Sequence, residues 1–132
     1  MEQNDRASYW MTTAQNDEET MRHLYDAGDY SWALFLGHLV VEKLMKAVYL
    51  CNRLDSITPP KSHDLVWIAN KAGIVLSDCQ SDALDLITTF NISARYPDEQ
   101  FEFRKLCTRE YTQTKIELIK EVCEWLRTML PS

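Results

Sequence analysis

The chain has 132 residues, the usual length of one domain, and its 45% hydrophobic and 26% charged residues are typical of a globular protein rather than a disordered one. With only three glycines and four prolines, it lacks the turn residues that a small β-sandwich or barrel needs. The net charge of -6 disfavours non-specific adhesion to nucleic acid or to an anionic membrane, because phosphate groups are repelled.

The apolar spacing predicts a first helix over about 8–27 and a second helix over about 29–53. Ser8 and Asp29 are suitable N-caps, since their side-chain oxygens can accept hydrogen bonds from free backbone amides at a helix start. Gly28 suits a left-handed turn between the helices, because it has no Cβ atom. We therefore expect two long consecutive helices joined by a tight turn.

The second predicted helix has two apolar flanks, one more than packing into a single core requires. We therefore expect this helix to lie at the centre of a bundle or to face a partner as well. The flank that we interpret as a homodimer interface consists of Trp32, Phe35, Leu39 and Tyr49.

A loop is predicted at 55–61, because its two adjacent prolines remove backbone donors and end the second helix. A short third helix follows over about 63–71, with Ser62 as its predicted cap and Gly73 as its stop. The next helix begins shortly after this stop. The candidates for its N-cap are Ser77, Asp78 and Ser81.

The fourth helix is expected to fade near Ala94, and the stretch 96–103 is predicted to be a loop because Pro97 opens it. The last helix is predicted over about 108–129 from its apolar residues at helical spacing. The whole chain is therefore expected to be all-α, an antiparallel up-and-down bundle of four main helices and one short helix in a single domain over 1–132.

The four cysteines are at least sixteen residues apart, so we expect reduced thiols rather than a disulfide or metal framework. His23 and His38 lie within helices without the spacing of metal ligands, and no metal site is predicted. The N-terminal residues have no signal-peptide pattern, and no apolar run approaches the ~20 residues of a membrane span. A cytoplasmic location without membrane binding is the resulting expectation.

The second helix carries a lysine pair with two interpretations. Lys43 and Lys46 lie three residues apart on one face, and Glu42 precedes Lys46 by one turn in the favourable order for an ion pair. The first interpretation is a solvated, salt-bridged flank. The second is that Lys46, helped by Lys43, supports a phosphate group or an acidic partner.

The segment 91–100 can be interpreted either as a binding site or as the structural end of the fourth helix. Arg95 lies where the fourth helix ends, and its planar fork of donors suits phosphate or carboxylate. Tyr96 can stack on a base, and Asn91 lies one turn earlier, so that it can point into the same cleft. In the alternative, Arg95 caps the last carbonyls of its helix and Tyr96 covers the edge of the core. His63, at the start of the short helix, either joins this site or packs on the preceding loop.

These segments together resemble the HEPN family, the helical domains named for higher eukaryotes and prokaryotes nucleotide-binding. The resemblance spans about 7–130 and lies in the order and spacing of several short motifs. The matching motifs are Tyr9-Trp10, Ala27-Gly28-Asp29-Tyr30, Ala33, Val41-Glu42-Lys43-Leu44-Met45-Lys46-Ala47, Pro59-Pro60 with His63-Asp64-Leu65, and Ala94-Arg95-Tyr96-Pro97-Asp98.

The resemblance implies a four-helix bundle with a short additional helix, and a homodimer whose cleft lies between protomers. Many family members are RNases with an Arg followed, after four to six residues, by a His. Other members partner a minimal nucleotidyltransferase in toxin–antitoxin pairs or bind nucleotides. Arg95 matches the family's Arg, but 96–102 contains no His, and His63 belongs to another helix. RNase chemistry needs a proton-transfer group beside the 2′-hydroxyl, so the nuclease activity is not carried over.

We therefore interpret the chain as a non-catalytic dimeric module that binds a nucleotide such as ATP or GTP, or a protein partner, in a cleft near Arg95. The alternatives are a partner of a minimal nucleotidyltransferase in a toxin–antitoxin pair and a divergent RNase. Sequence-specific DNA is not expected, and RNA is a less favoured ligand. Arg95 and Lys46 would hold phosphate, Tyr96 would stack on a base, Asn91 would read polar edges, and Asp98 would orient Arg95. The predicted nucleotide-binding residues are Arg95, Lys46, Tyr96, Asn91, Asp98 and His63.

Overall fold

The computed structural model describes residues 3–131, with side chains from residue 5 onward. Over these residues the protein is all-helical, with six helices and no strand. None of the helices in this described part is long and apolar enough to cross a membrane. The helices are α1 (Gln3–Asp26), α2 (Tyr30–Asn52), α3 (Leu65–Lys71), α4 (Asp78–Arg95), α5 (Pro97–Leu106) and α6 (Arg109–Arg127).

Helix α2 lies at the centre of the bundle, with α1, α3, α4 and α6 all packed against it. Most of its side chains are buried, as its two apolar flanks indicate. Gly37 lies where α2 meets its two long neighbours. A Cβ atom at this position would collide with the side chain of Ile119 and lie 3.2 Å from the sulfur of Met21. The missing side chain therefore lets the helices approach closely.

The turn between α1 and α2 has the predicted form. Gly28 has a φ of 85°, in the left-handed region, and its amide donates to the Tyr25 carbonyl at 3.0 Å. The amide of Asp29 donates to the Leu24 carbonyl at 2.8 Å, which satisfies another carbonyl at the end of α1. Asp29 occupies the N-cap position of α2 without a side-chain capping hydrogen bond.

Two predicted helix starts are wrong. Helix α1 begins at Gln3, so Ser8 lies inside the helix; the first turn carries Asp5, whose charge suits the positive end of the helix dipole. Helix α3 begins at Leu65, because Asp64 rather than Ser62 is its N-cap and accepts a hydrogen bond from the Trp67 amide at 3.2 Å. His63 therefore lies in the loop before α3.

The structure also contains a helix where the sequence was predicted to form a loop. Helix α5 occupies most of 96–103, so the bundle has six helices rather than five. Pro97 is its first residue, where a missing amide hydrogen costs nothing. Asp98 and Glu99 in the first turn, with basic residues in the last, complement the helix dipole. Phe103 is its only buried residue, which explains why the apolar spacing did not indicate a helix.

Helices α4 and α6 begin at side-chain caps. Ser77, one of the three predicted candidates, forms a capping box with Gln80 at the start of α4. Thr108 caps α6 by accepting a hydrogen bond from the Tyr111 amide at 3.1 Å. At its other end α4 leads directly into α5, because Tyr96 is both the C-cap of α4 and the N-cap of α5.

Candidate functional site

An ion pair is buried on α2, between Trp10 of α1 and the loop before α3. Glu42 and Lys46 are one turn apart, and their side chains are only 6% and 9% exposed. Lys46 Nζ donates to Glu42 Oε2 at 3.0 Å. The interpretation of this pair as a solvated flank is therefore wrong, and the pair is an internal element of the bundle.

The second carboxylate oxygen of Glu42 connects α2 to the loop before α3. His63 Nδ1 donates to Glu42 Oε1 at 2.7 Å. The side chain of His63 is otherwise 55% exposed. Glu42 thus fixes the orientation of a half-exposed histidine.

His38 completes the network and was not predicted as a site residue. Its side chain is fully buried one turn before Glu42, and Nε2 donates to the His63 carbonyl at 2.9 Å. Its Nδ1 accepts a hydrogen bond from Asn91 Nδ2 at 3.3 Å. Burial lowers the pKa of His38 below its usual value, since the charged imidazole would be desolvated. The neutral ring satisfies both partners and joins α2, α4 and the loop before α3.

The two lysines of α2 have different partners. The ammonium of Lys46 lies 5.5 Å from the centre of the Trp10 ring on α1, a cation–π arrangement. Lys43 instead pairs with Asp17 of α1 at 2.5 Å. The side chain of Lys46 is therefore enclosed by the protein, and Lys43 does not assist it as predicted.

Arg95 and Tyr96 lie at the solvent-facing end of α4, one turn beyond Asn91. Both are exposed, and the ring of Tyr96 is 58% accessible. Within residues 3–131, the Arg95 side chain makes no hydrogen bond or ion pair, including none with Asp98. The alternative in which Arg95 caps its own helix and Tyr96 covers the core is therefore not what the structure shows.

The six predicted binding residues thus fall into three places. Lys46, Asn91 and His63 belong to one network, but the first two are buried by it. Arg95 and Tyr96 are exposed beyond the network, at the end of α4. Asp98 lines a separate groove between α4 and α5. The positions of His38 and Glu42, four residues apart on one face of α2, were a signal for the network that was available in the sequence.

A second cavity, not indicated by the sequence, lies between α1 and α6 and has a volume of about 500 Å³. Tyr25 Oη donates to Gln113 Oε1 at 3.4 Å, and Arg127 pairs with Glu18 at 2.6 Å, so polar contacts between α1 and α6 accompany the opening. Within the described part of the chain, no group of three or more His, Cys, Asp or Glu residues could hold a metal ion.

The predicted dimer flank lies on α2. Trp32 is 37% exposed and contacts Phe35 edge to face, with ring centres 5.8 Å apart. Phe35, Leu39 and Tyr49 are partly buried, and the Tyr49 hydroxyl lies 3.2 Å from that of Ser56. This flank remains the predicted interface.

Comparisons with known proteins address the family and the fold. The family model of the HEPN domain matches residues 7–129, nearly the whole chain. The crystal structure of TT1696 from Thermus thermophilus is similar with a TM-score of 0.79 and 18% sequence identity, over 95% of this chain and 98% of that chain. At this identity the likeness shows the fold alone. No curated protein matches the sequence.

Proposed function

Because this chain belongs to the HEPN domain family, we propose that it is a dimeric HEPN module that binds a nucleotide at the exposed end of α4 and does not cleave it. The observation that carries the proposal is the exposed Arg95 guanidinium, which has no ion pair within residues 3–131 and is followed directly by the exposed ring of Tyr96. A cationic fork beside an accessible aromatic ring suits a phosphate and a base of one ligand.

The proposed roles follow the exposure of each side chain. Arg95 binds phosphate oxygens, Tyr96 stacks on the base, and the half-exposed His63 supplies a further polar contact. Lys46 and Asn91 are positioning residues, because their side chains are buried and hydrogen-bonded within the protein. They hold α2, α4 and the loop of His63 in fixed positions relative to one another.

The absence of cleavage is proposed from the sequence around Arg95. No histidine follows it within 96–102, and a proton acceptor beside the 2′-hydroxyl is what RNA cleavage needs. The ligand is therefore expected to be bound and released unchanged.

Calorimetric titration with ATP, GTP and their monophosphates tests the binding proposal. The wild type should bind at least one of these ligands below millimolar concentration, and Arg95→Ala should weaken the affinity tenfold or more. Arg104→Ala removes an exposed arginine from the last turn of α5 and serves as the matched control, with unchanged affinity expected. The absence of binding by the wild type at millimolar concentration, or equal weakening by both variants, would contradict the proposal.

One observation favours a divergent RNase as the second candidate. The half-exposed side chain of His63 is oriented by a buried carboxylate through Nδ1, which is how a general base is often held. Labelled single-stranded RNA incubated with the wild type and with His63→Asn distinguishes the two functions. Cleavage by the wild type that is lost in the variant would replace the binding proposal with the enzyme.

A toxin–antitoxin role with a minimal nucleotidyltransferase is a separate proposal about the partner. Its support is the family resemblance together with the acidic net charge of -6, which leaves a protein partner more favourable than a nucleic acid. Co-expression with the product of a neighbouring nucleotidyltransferase gene, followed by purification through one tag, tests it. A stable complex is the expected result, and purification of this chain alone would contradict it.

A further inference from the structure

A groove of about 520 Å³ separates α4 from α5 on the surface of the protein. Its apolar lining includes Ile92, which is 44% exposed, and Leu106, which is 52% exposed. Phe103, the only buried residue of α5, also lines it. Apolar side chains that remain accessible in a concave surface indicate a site where another apolar surface docks.

The polar part of the same groove is acidic. Asp98, Glu99 and Glu102 line it, and no lysine or arginine is among the lining residues. Lys105 Nζ lies 3.7 Å from Glu102 Oε1. Both side chains are more than half exposed, so this ion pair offsets little of the negative charge of the groove. Lys105 also lies over the Phe101 ring, 4.3 Å from its centre. The groove therefore attracts cations and repels phosphate groups.

We propose that this groove is the docking site for a basic amphipathic helix of a partner protein. Two neighbouring helices form a furrow that fits the side chains of a third helix, with apolar residues at i, i+3 and i+4 on the side of Ile92 and Leu106. Lysine or arginine residues of that helix would pair with Glu99 and Glu102. Because α5 has ten residues, about 15 Å, the docked segment needs two to three turns.

The docking groove and the proposed nucleotide site lie side by side at the junction of α4 and α5, but they use different side chains. None of the residues that line the groove belongs to the buried network of His38, Glu42 and Lys46, and neither Arg95 nor Tyr96 lines it. The groove and the exposed guanidinium have opposite charge, so an anionic ligand and a basic helix would bind at different places. Asp98, which the sequence assigned to the nucleotide, therefore belongs to the helix-binding groove.

Fluorescence anisotropy with a labelled peptide of leucine and lysine, held helical over two to three turns by a side-chain cross-link, tests the proposal. The wild type should bind it, and a leucine–glutamate peptide of the same pattern should bind at least tenfold more weakly. The double variant Glu99→Lys and Glu102→Lys should lose tenfold or more in affinity for the basic peptide. The matched control reverses the charge of two exposed acidic residues of α6, by Glu117→Lys and Glu121→Lys. It should bind the basic peptide as tightly as the wild type does.

Three results would overturn the proposal. The first is an equal loss of affinity for the basic peptide in the α6 control variant, which would show that net charge rather than the groove determines binding. The second is no loss in the Glu99 and Glu102 variant. The third is a change in molecular mass of that variant by light scattering, which would assign the groove to a second copy of this chain. Nucleotide affinity should not fall in the variant, because the added lysines lie close to Tyr96 and attract phosphate, so failure here is distinguishable from failure of the proposed function.

Discussion

Glu42 holds together the interior of the candidate site, since one carboxylate binds both Lys46 and His63. Replacing Glu42 with Gln leaves the buried ammonium of Lys46 without a counter-charge and should reduce the free energy of unfolding by about 3–5 kcal/mol. Adding Lys46→Met to this variant removes the unpaired charge. The double variant should therefore be more stable than Glu42→Gln alone, as measured by urea unfolding. Additive losses would show that the two side chains do not depend on each other.

His38 should make folding stability depend on pH. Burial lowers the pKa of His38 below its usual value of 6.5, so the unfolded chain binds more protons than the folded one as the pH falls below that value. The contribution is fully present above about pH 6.5 and is lost as the pH falls toward the folded pKa, with a slope of at most about 1.4 kcal/mol per pH unit. His38→Gln should flatten this slope, measured by urea unfolding between pH 7.5 and 5.5. His23→Gln, at an exposed position on α1, is the matched control for removal of a histidine.

The residues of the site were predictable only in part. The sequence indicated Lys46 through its spacing from Glu42 and Lys43, and Asn91 through its place one turn before Arg95. It indicated His63 as an imidazole at a predicted helix start. It did not indicate that the first two are buried, since burial depends on how α1, α3 and α4 cover α2. His38 was set aside for lacking metal-ligand spacing, although its partners are a carbonyl and an amide rather than a metal.

At the scale of the helices, the closest approach is at Gly37 in the middle of α2. Alanine here gains about 1 kcal/mol of helix propensity, but its Cβ collides with the Cδ1 methyl of Ile119, and overpacking costs about 1–3 kcal/mol. We expect Gly37→Ala to lower the melting temperature. Adding Ile119→Val deletes the colliding methyl group and should recover part of the loss. A melting temperature that rises in Gly37→Ala would show that α1, α2 and α6 are not closely packed there.

The helices were predictable where their apolar residues are dense. Helices α2 and α4 begin at Tyr30 and Asp78, within a residue of expected starts, because caps and apolar spacing agree there. Helix α5 was missed because Phe103 is its only buried side chain, so the signal lay in Pro97 and the charges of its first and last turns. A proline at the first position, with acidic residues in the first turn and basic residues in the last, indicates a helix even where the apolar spacing does not.

The whole molecule is proposed to be a homodimer that uses the flank of α2 containing Trp32. Light scattering after gel filtration should give twice the mass of one chain for the wild type. Trp32→Glu should shift the species to one chain, because a charge would be buried in the interface. Trp67→Glu changes a comparably exposed tryptophan on α3 and is the control that should remain dimeric. A wild-type protein with the mass of one chain at high concentration would contradict the proposed dimer.

The proposed function of the whole molecule depends on nucleotide binding at the accessible end of α4. Titration with the nucleotide followed by two-dimensional amide NMR tests this most directly, because it reports on the backbone amides of all the helices at once. We predict that the shifted amides concentrate at 91–96 and around His63, and that Arg95→Ala abolishes these shifts. Shifts confined to the cavity between α1 and α6, or a spectrum that does not change at millimolar nucleotide, would contradict the account.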